Sequence, residues 1–124
     1  MFSNKTMFHR ACIMSTLGEH DNANPFLPLI IKEKTKIDDY ALFKLDVDNG
    51  PLEIDTVNHL LQLNNNANDH LDCIDEFMWE HHVEGNYLLK KNWKEVVAKG
   101  VTLYDSYQLF LKLRQRGVRA HSWV

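Results

Sequence analysis

Two short segments of this chain carry the side chains best suited to chemistry. Asp46 and Asp48 flank Val47, and Glu80, His81 and His82 follow one another directly after Trp79. Carboxylates and imidazoles take up and release protons near neutral pH. Their oxygen and nitrogen atoms are also ligands for Mn, Fe, Zn or Mg. In extended chain, residues two apart share a face, so Asp46 goes with Asp48, Glu80 goes with His82, and His81 turns away. If both segments end neighbouring strands, about 5 Å apart, then Asp46, Asp48, Glu80 and His82 meet. These four are the candidate catalytic residues, with His81 ranked behind them. Their chemistry would be general base action toward a substrate hydroxyl. Asp48, Glu80 and His82 are in addition the candidate ligands of a divalent metal, although adjacent histidines without a third spaced ligand are a poor metal motif alone. The same residues also fit solvated strand ends, where acids and histidines are common.

The elements that must position them can be read from periodicity. Tyr40 to Val47 alternates as a strand, with Phe43, Leu45 and Val47 on one face and Leu42, Lys44 and Asp46 on the other. Asn49-Gly50-Pro51 ends it. Asn-Gly would suit a hairpin, but Ile54, Val57, Leu60 and Leu61 follow at helical spacing, which predicts a helix over Glu53–Leu63. Leu71 to Trp79, rich in aromatic and branched residues, reads as a buried strand. Val83 to Gly100 reads as an excursion holding a short helix. Thr102 and Asp105 form a capping-box pattern that opens a helix with Leu103, Tyr107, Phe110, Leu111 and Arg114 as its stripe, and Gly117 fits its C′ position. Val118 to Val124 alternates as a last strand. Upstream, Pro25 to Lys36 fits a short helix whose first turn Pro28 limits. Asn64 to Asp69 reads as a polar loop.

Strands alternating with helices predict the α/β class: right-handed crossovers and a mainly parallel sheet of three or more strands, flanked by helices. Such a sheet gathers ligands outside the carboxyl ends of its strands, where both acidic segments fall.

Other chemically capable residues have plainer readings. Glu53 suits the first turn of its helix. His59 reads as a surface histidine, Cys73 as a small buried hydrophobe, and Tyr104, Tyr107 and Phe110 as helical core. His121 and Trp123 alternate with Val118 and Ala120 and read as packing residues. Lys90-Lys91 and the span Arg114–Arg119 read as solvated charge.

Composition narrows the field further. The chain has 124 residues, 44% hydrophobic and 25% charged, with a formal net charge of −3 from 14 basic and 17 acidic side chains. That suits one domain and argues against nucleic acid or an anionic membrane as the main partner. No run approaches the roughly 18 apolar residues of a membrane span. Cys12 and Cys73 alone cannot make a disulfide framework. Within residues 1–23, Met1–Arg10 has no apolar h-region, so a secretory signal is not expected. The lack of acids before Glu19, with Lys5, His9 and Arg10, is compatible with an organelle presequence, and an ordinary or frayed N-terminus is the plainer reading. The expectation is an intracellular protein, cytoplasmic or organellar.

Taken in order, several segments resemble a known family. Asn24-Pro25-Phe26, Asp39 to Asp48, Ile74 to Val83, Asp105-Ser106-Tyr107 and Leu113 to Val124 are similar to the C-terminal half of methyltransferase-like proteins of plants and algae, distant relatives of the FkbM-type methyltransferases. Lys44-Leu45-Asp46-Val47-Asp48, followed here by Asn49-Gly50, corresponds to the Lys-Ile-Asp-Val-Glu-Gly type of motif in FkbM proteins. The resemblance covers residues 24–124. It implies a partial Rossmann-like fold of the kind that binds S-adenosylmethionine, with Asp46, Asp48, Glu80 and His82 lining the acceptor side. In that superfamily a glycine-rich turn after the first strand holds the methyl donor. This chain has no GxGxxG, and its five glycines (Gly18, Gly50, Gly85, Gly100 and Gly117) stand apart. The expectation is therefore the acceptor half of the fold without its donor half. It leaves two functions: a methyltransferase-like domain, or a non-catalytic accessory subunit on a degenerate methyltransferase fold. A half sheet leaves an edge of unpaired backbone groups, so a second copy or a partner subunit is expected to cover it.

Overall fold

The computed structural model describes residues 26–62, 70–84 and 97–122. Helix α1 spans Leu27–Lys34, strand β1 Leu42–Leu45 and helix α2 Gly50–Gln62. A 3₁₀ turn at His70–Cys73 leads into β2, Glu76–Trp79. Strands β3 (Val83–Glu84) and β4 (Ala98–Thr102) precede helix α3, Leu103–Gln115, and β5 is Arg119–Ser122. The expected α/β class is present, built on an all-parallel sheet in the order β1-β2-β5. A second, two-stranded parallel sheet pairs β3 with β4 through an irregular register.

Each strand of the main sheet turns alternate residues toward the helices. Phe43 and Leu45, Phe77 and Trp79, and Ala120 lie inward, and Val57 and Leu60 of α2 join Phe110 and Leu113 of α3 over them in one core. Both helices thus cover the same face, as right-handed crossovers require when each strand is added on the same side of the last. The opposite face shows Leu42, Lys44, Arg119 and His121 to solvent, with Glu76 and Met78 half-buried. Parallel sheets are ordinarily covered on both faces. Among the described residues, no strand pairs with the outer edges of β1 and β5.

The helix ends follow their local chemistry. Asn49 caps α2, its Oδ1 accepting from the Leu52 N–H at 3.2 Å and its carbonyl from the Glu53 N–H at 2.9 Å. The helix therefore begins at Gly50, before the Glu53 start that periodicity gives, because Pro51 falls in the first turn where its missing N–H costs nothing. At α3 the capping box is complete: Asp105 N–H donates to Thr102 Oγ1 at 3.2 Å, and Thr102 N–H to Asp105 Oδ2 at 2.8 Å. Gly117 takes φ +90°. Its N–H bonds the Arg114 carbonyl and the Val118 N–H that of Leu113, the Schellman closure expected of a C′ glycine.

Several sequence readings need correction. The strand expected from Leu71 starts only at Glu76, because the backbone winds into the 3₁₀ turn through Cys73. Leu103, Tyr104, Tyr107, Leu111 and Arg114 are exposed, and the buried side of α3 is Ser106, Phe110 and Leu113. His59 is half-buried with its ring 4.8 Å from that of Phe26, edge to face, and burial lowers its pKa. Cys73 is half-buried and His121 exposed. The Val83–Gly100 segment begins and ends in strand, and the short helix expected within it lies outside the described residues. So do residues 1–23, the whole Asn64–Asp69 loop, Lys90-Lys91 and Trp123. Among the described residues, no helix is long and apolar enough to cross a membrane.

Candidate functional site

The carboxyl ends of β1 and β2 lie side by side. Leu45 is in register with Trp79, and the ladder continues one step through Glu80 N–H to the Leu45 carbonyl at 3.3 Å. Asp46 and Glu80 are consequently neighbours, close enough for each carboxyl to shift the other's proton affinity. Burial works to raise Asp46, but hydrogen bonds from Lys44 and Glu80 outweigh it and hold its pKa below the ordinary value. Lys44 Nζ stands 2.9 Å from Asp46 Oδ2. Glu80 moves the other way, raised by burial and then by its bond to, and repulsion from, Asp46. Two neighbouring carboxyls shifted in opposite directions differ in proton affinity, the arrangement by which paired acids divide acid and base roles.

His82 sits beneath this pair. Its Nε2 is 3.7 Å from Glu80 Oε1 and 3.9 Å from Asp48 Oδ1. Asp48 is placed by a left-handed backbone, φ 54°, a conformation aspartate tolerates better than most residues. The His82 side chain is 0% exposed, against 27% for Glu80, 28% for Asp46 and 51% for Asp48. A molecule arriving from solvent therefore touches the three acids, and His82 acts on it only through them. The four candidate residues come together, with the imidazole inside the cluster, but just past the strands. β1 ends at Leu45, short of the expected Val47, and β2 at Trp79, so loop conformation and not strand alternation sets their directions.

His81 does not point away into solvent. Strand β2 ends at Trp79, so its alternation does not extend to residue 81. The His81 ring stacks on Trp79 at 3.7 Å, with Nδ1 2.8 Å from Ser106 Oγ. Burial, then the nearby His82, lowers its pKa to about 4, against the opposing pull of Asp105. It is a neutral packing histidine at physiological pH, and among the described residues its buried Nε2 has no hydrogen-bond partner.

Glu53 is the residue that sequence reading missed. It is fully buried, accepting from the Val47 N–H at 3.0 Å and the Trp79 indole N–H at 3.1 Å. Burial raises its pKa to about 7, opposed by those two bonds and assisted by the charges of Asp46 and Asp48. Its signal was present: Glu53, Thr56, Val57 and Leu60 stand at i, i+3, i+4 and i+7, which makes them the buried face of α2. Ile54 and Leu61, expected at its centre, lie at its rim.

Among the described residues, no three His, Cys, Asp or Glu side chains are grouped so as to hold a metal ion. The contacts of His82 with Asp48 and Glu80 are thus read as polar contacts within the cluster, not as a ligand set. An open depression of about 520 Å³ lies at the opposite, amino ends of β2 and β5, lined by Asp72, Asp75, Arg116 and Arg119 among others. It holds no comparable group of coupled acids, and ligands of parallel sheets gather at the carboxyl ends.

No family model matches the sequence, and neither a curated protein nor a solved structure matches it. The functional reading therefore rests on the geometry of the acid cluster and on the motif resemblance.

Proposed function

We propose that this chain is a methyltransferase-like domain whose Asp46–Glu80 pair faces the methyl acceptor and takes up the proton of its hydroxyl. The observation that carries the reading is the adjoining Asp46 and Glu80 carboxyls just past the carboxyl ends of two paired parallel strands. With both carboxyls deprotonated Glu80 is the base, since its raised pKa gives it more affinity for a proton than an ordinary carboxylate. Asp46 and the buried His82 are positioning residues that set the affinity and orientation of Glu80. Asp48 adds negative charge at the rim, which complements the positive sulfonium of S-adenosylmethionine. That donor would supply an electrophilic methyl group. With that donor bound, Glu80 would take up the proton of the acceptor hydroxyl.

Calorimetric titration of the folded chain with S-adenosylmethionine tests the proposal. The expected result is micromolar binding, with methyl transfer to hydroxyl acceptors that falls about a hundredfold or more in Glu80→Gln while donor binding is kept. A folded chain that takes up no donor overturns it and favours an accessory subunit on a methyltransferase-type fold. One observation supports that second reading: the described glycines, Gly50, Gly100 and Gly117, form no glycine-rich turn between a strand and a helix.

A further inference from the structure

Glu53 joins the two segments that carry the acid cluster. It stands in the first turn of α2 and is fully buried. Its Oε1 accepts from the Val47 N–H at 3.0 Å, and its Oε2 from the Trp79 indole N–H at 3.1 Å. Val47 lies between Asp46 and Asp48, and Trp79 directly precedes Glu80. Strand pairing stops just short of the cluster, at Leu45 and Trp79, with one further bond from the Glu80 N–H to the Leu45 carbonyl. Beyond that bond the ladder gives Asp46 and Asp48 no support, and Asp48 holds a left-handed backbone at φ 54°. A residue keeps such a conformation where its surroundings over-determine it.

Both partners of Glu53 are uncharged N–H donors, and they occupy both of its oxygens. From this geometry we infer that Glu53 is a positioning residue for the Asp46–Glu80 pair, bracing the Asp46–Asp48 loop against Trp79 so that the two carboxyls stay adjacent. The inference rests on the reading of that pair as the reacting one. A glutamine here has one accepting oxygen and one NH₂ donor, so it can serve Val47 or Trp79 but not both. Trp79 is also held by ring contacts with Phe77, His81 and Phe110, so Val47 is the partner released. The charges acting on Glu53 come from Asp46 and Asp48. The segment after β2 carries Glu80, His81 and His82, α2 itself Asp55 and His59, and β4 the exposed Lys99, while the inward side of α3 has no titratable group.

Amide hydrogen exchange and carbon-detected NMR on the full chain test the inference without donor or acceptor. In Glu53→Gln the Val47 amide should exchange about tenfold faster or more, while the Glu80 amide, bonded to Leu45, keeps its protection. The second readout is the coupling within the carboxyl pair. Asp46→Asn should lower the titration midpoint of Glu80 in the otherwise native chain. In a Glu53→Gln background that shift should fall to about half or less. Each shift compares two chains identical at residue 53, so a role in stability alone leaves it unchanged. The native chain decides the matter if the variant does not fold. Its Val47 N–H and Trp79 indole N–H should then move through one shared titration, with a midpoint of about 7. Unchanged coupling or unchanged Val47 exchange in a folded Glu53→Gln chain overturns the inference, as do separate midpoints for the two N–H groups. A chain that meets these expectations but binds no S-adenosylmethionine overturns the methyl-transfer reading and leaves the brace standing.

Discussion

Glu76 opens β2 and Glu80 follows its last residue, yet the two carboxyls have opposite kinds of neighbour. Glu76 accepts from the Tyr40 hydroxyl and lies 3.1 Å from His121 Nε2. Arg119 donates to the same Tyr40 oxygen at 3.0 Å and sits 5.3 Å over its ring. Every group there finds a complement, on a sheet face open to water. Glu80 instead faces the carboxyl of Asp46, with Asp48 nearby and Glu53 buried behind. Complementary surface pairs hold side chains in place at little energetic consequence. Acids forced together change their proton affinity, and that change is what chemistry can use. The difference separates a self-complementary surface cluster at the start of one strand from the proposed site just past its end.

Breaking the support of the acid cluster should have the largest effect. Trp79→Ala removes a fully buried ring that stacks on His81 and donates to Glu53. It should cost about 3–5 kcal/mol of stability in urea unfolding. Next comes Glu53. Its folded pKa of about 7 lies above the ordinary 4.5, so its contribution to stability is fully present below 4.5 and is lost as pH rises to 7. Glu53→Gln does not titrate. Its stability relative to the native chain should therefore improve between pH 4.5 and 8, by up to about 3 kcal/mol at 1.36 kcal/mol per pKa unit. A pH-independent difference would show that Glu53 titrates normally.

Asp46→Asn sharpens the comparison from the other side. It removes both the hydrogen bond and the charge by which Asp46 raises Glu80, so Glu80 should titrate closer to its ordinary value when followed by carbon-detected NMR. The smallest effect belongs to the complementary cluster. Glu76→Gln should change stability by about 1 kcal/mol or less and lose even that effect in high salt.

Much of the architecture is legible in the residues. Alternation at Phe43 and Leu45, the Thr102–Asp105 capping pattern and Gly117 each encode a local conformation through short-range sterics and hydrogen bonds. The meeting of Asp46, Asp48, Glu80 and His82 is legible too, since parallel register follows from strand order. The helical spacing of Glu53 with Thr56, Val57 and Leu60 signalled its burial, but its partners and the burial of His81 were not legible, because they depend on residues distant in sequence. Glu53 owes its place to Trp79, and His81 to Trp79 and Ser106. The outer side of α3 misled for a related reason. An apolar row at helical spacing looks the same whether it packs on its own sheet or faces outward, and here α3 has both kinds.

Thr102 is at once the final residue of β4 and the N-cap of α3. A junction with no intervening loop has no slack, so a tilt of β4 must rotate the first turn of the helix with it. Ser106 rides on that turn and is bonded to His81, whose ring lies on Trp79. The small β3–β4 sheet is therefore the handle of a crank, with the floor of the acid cluster at the other end of its arm.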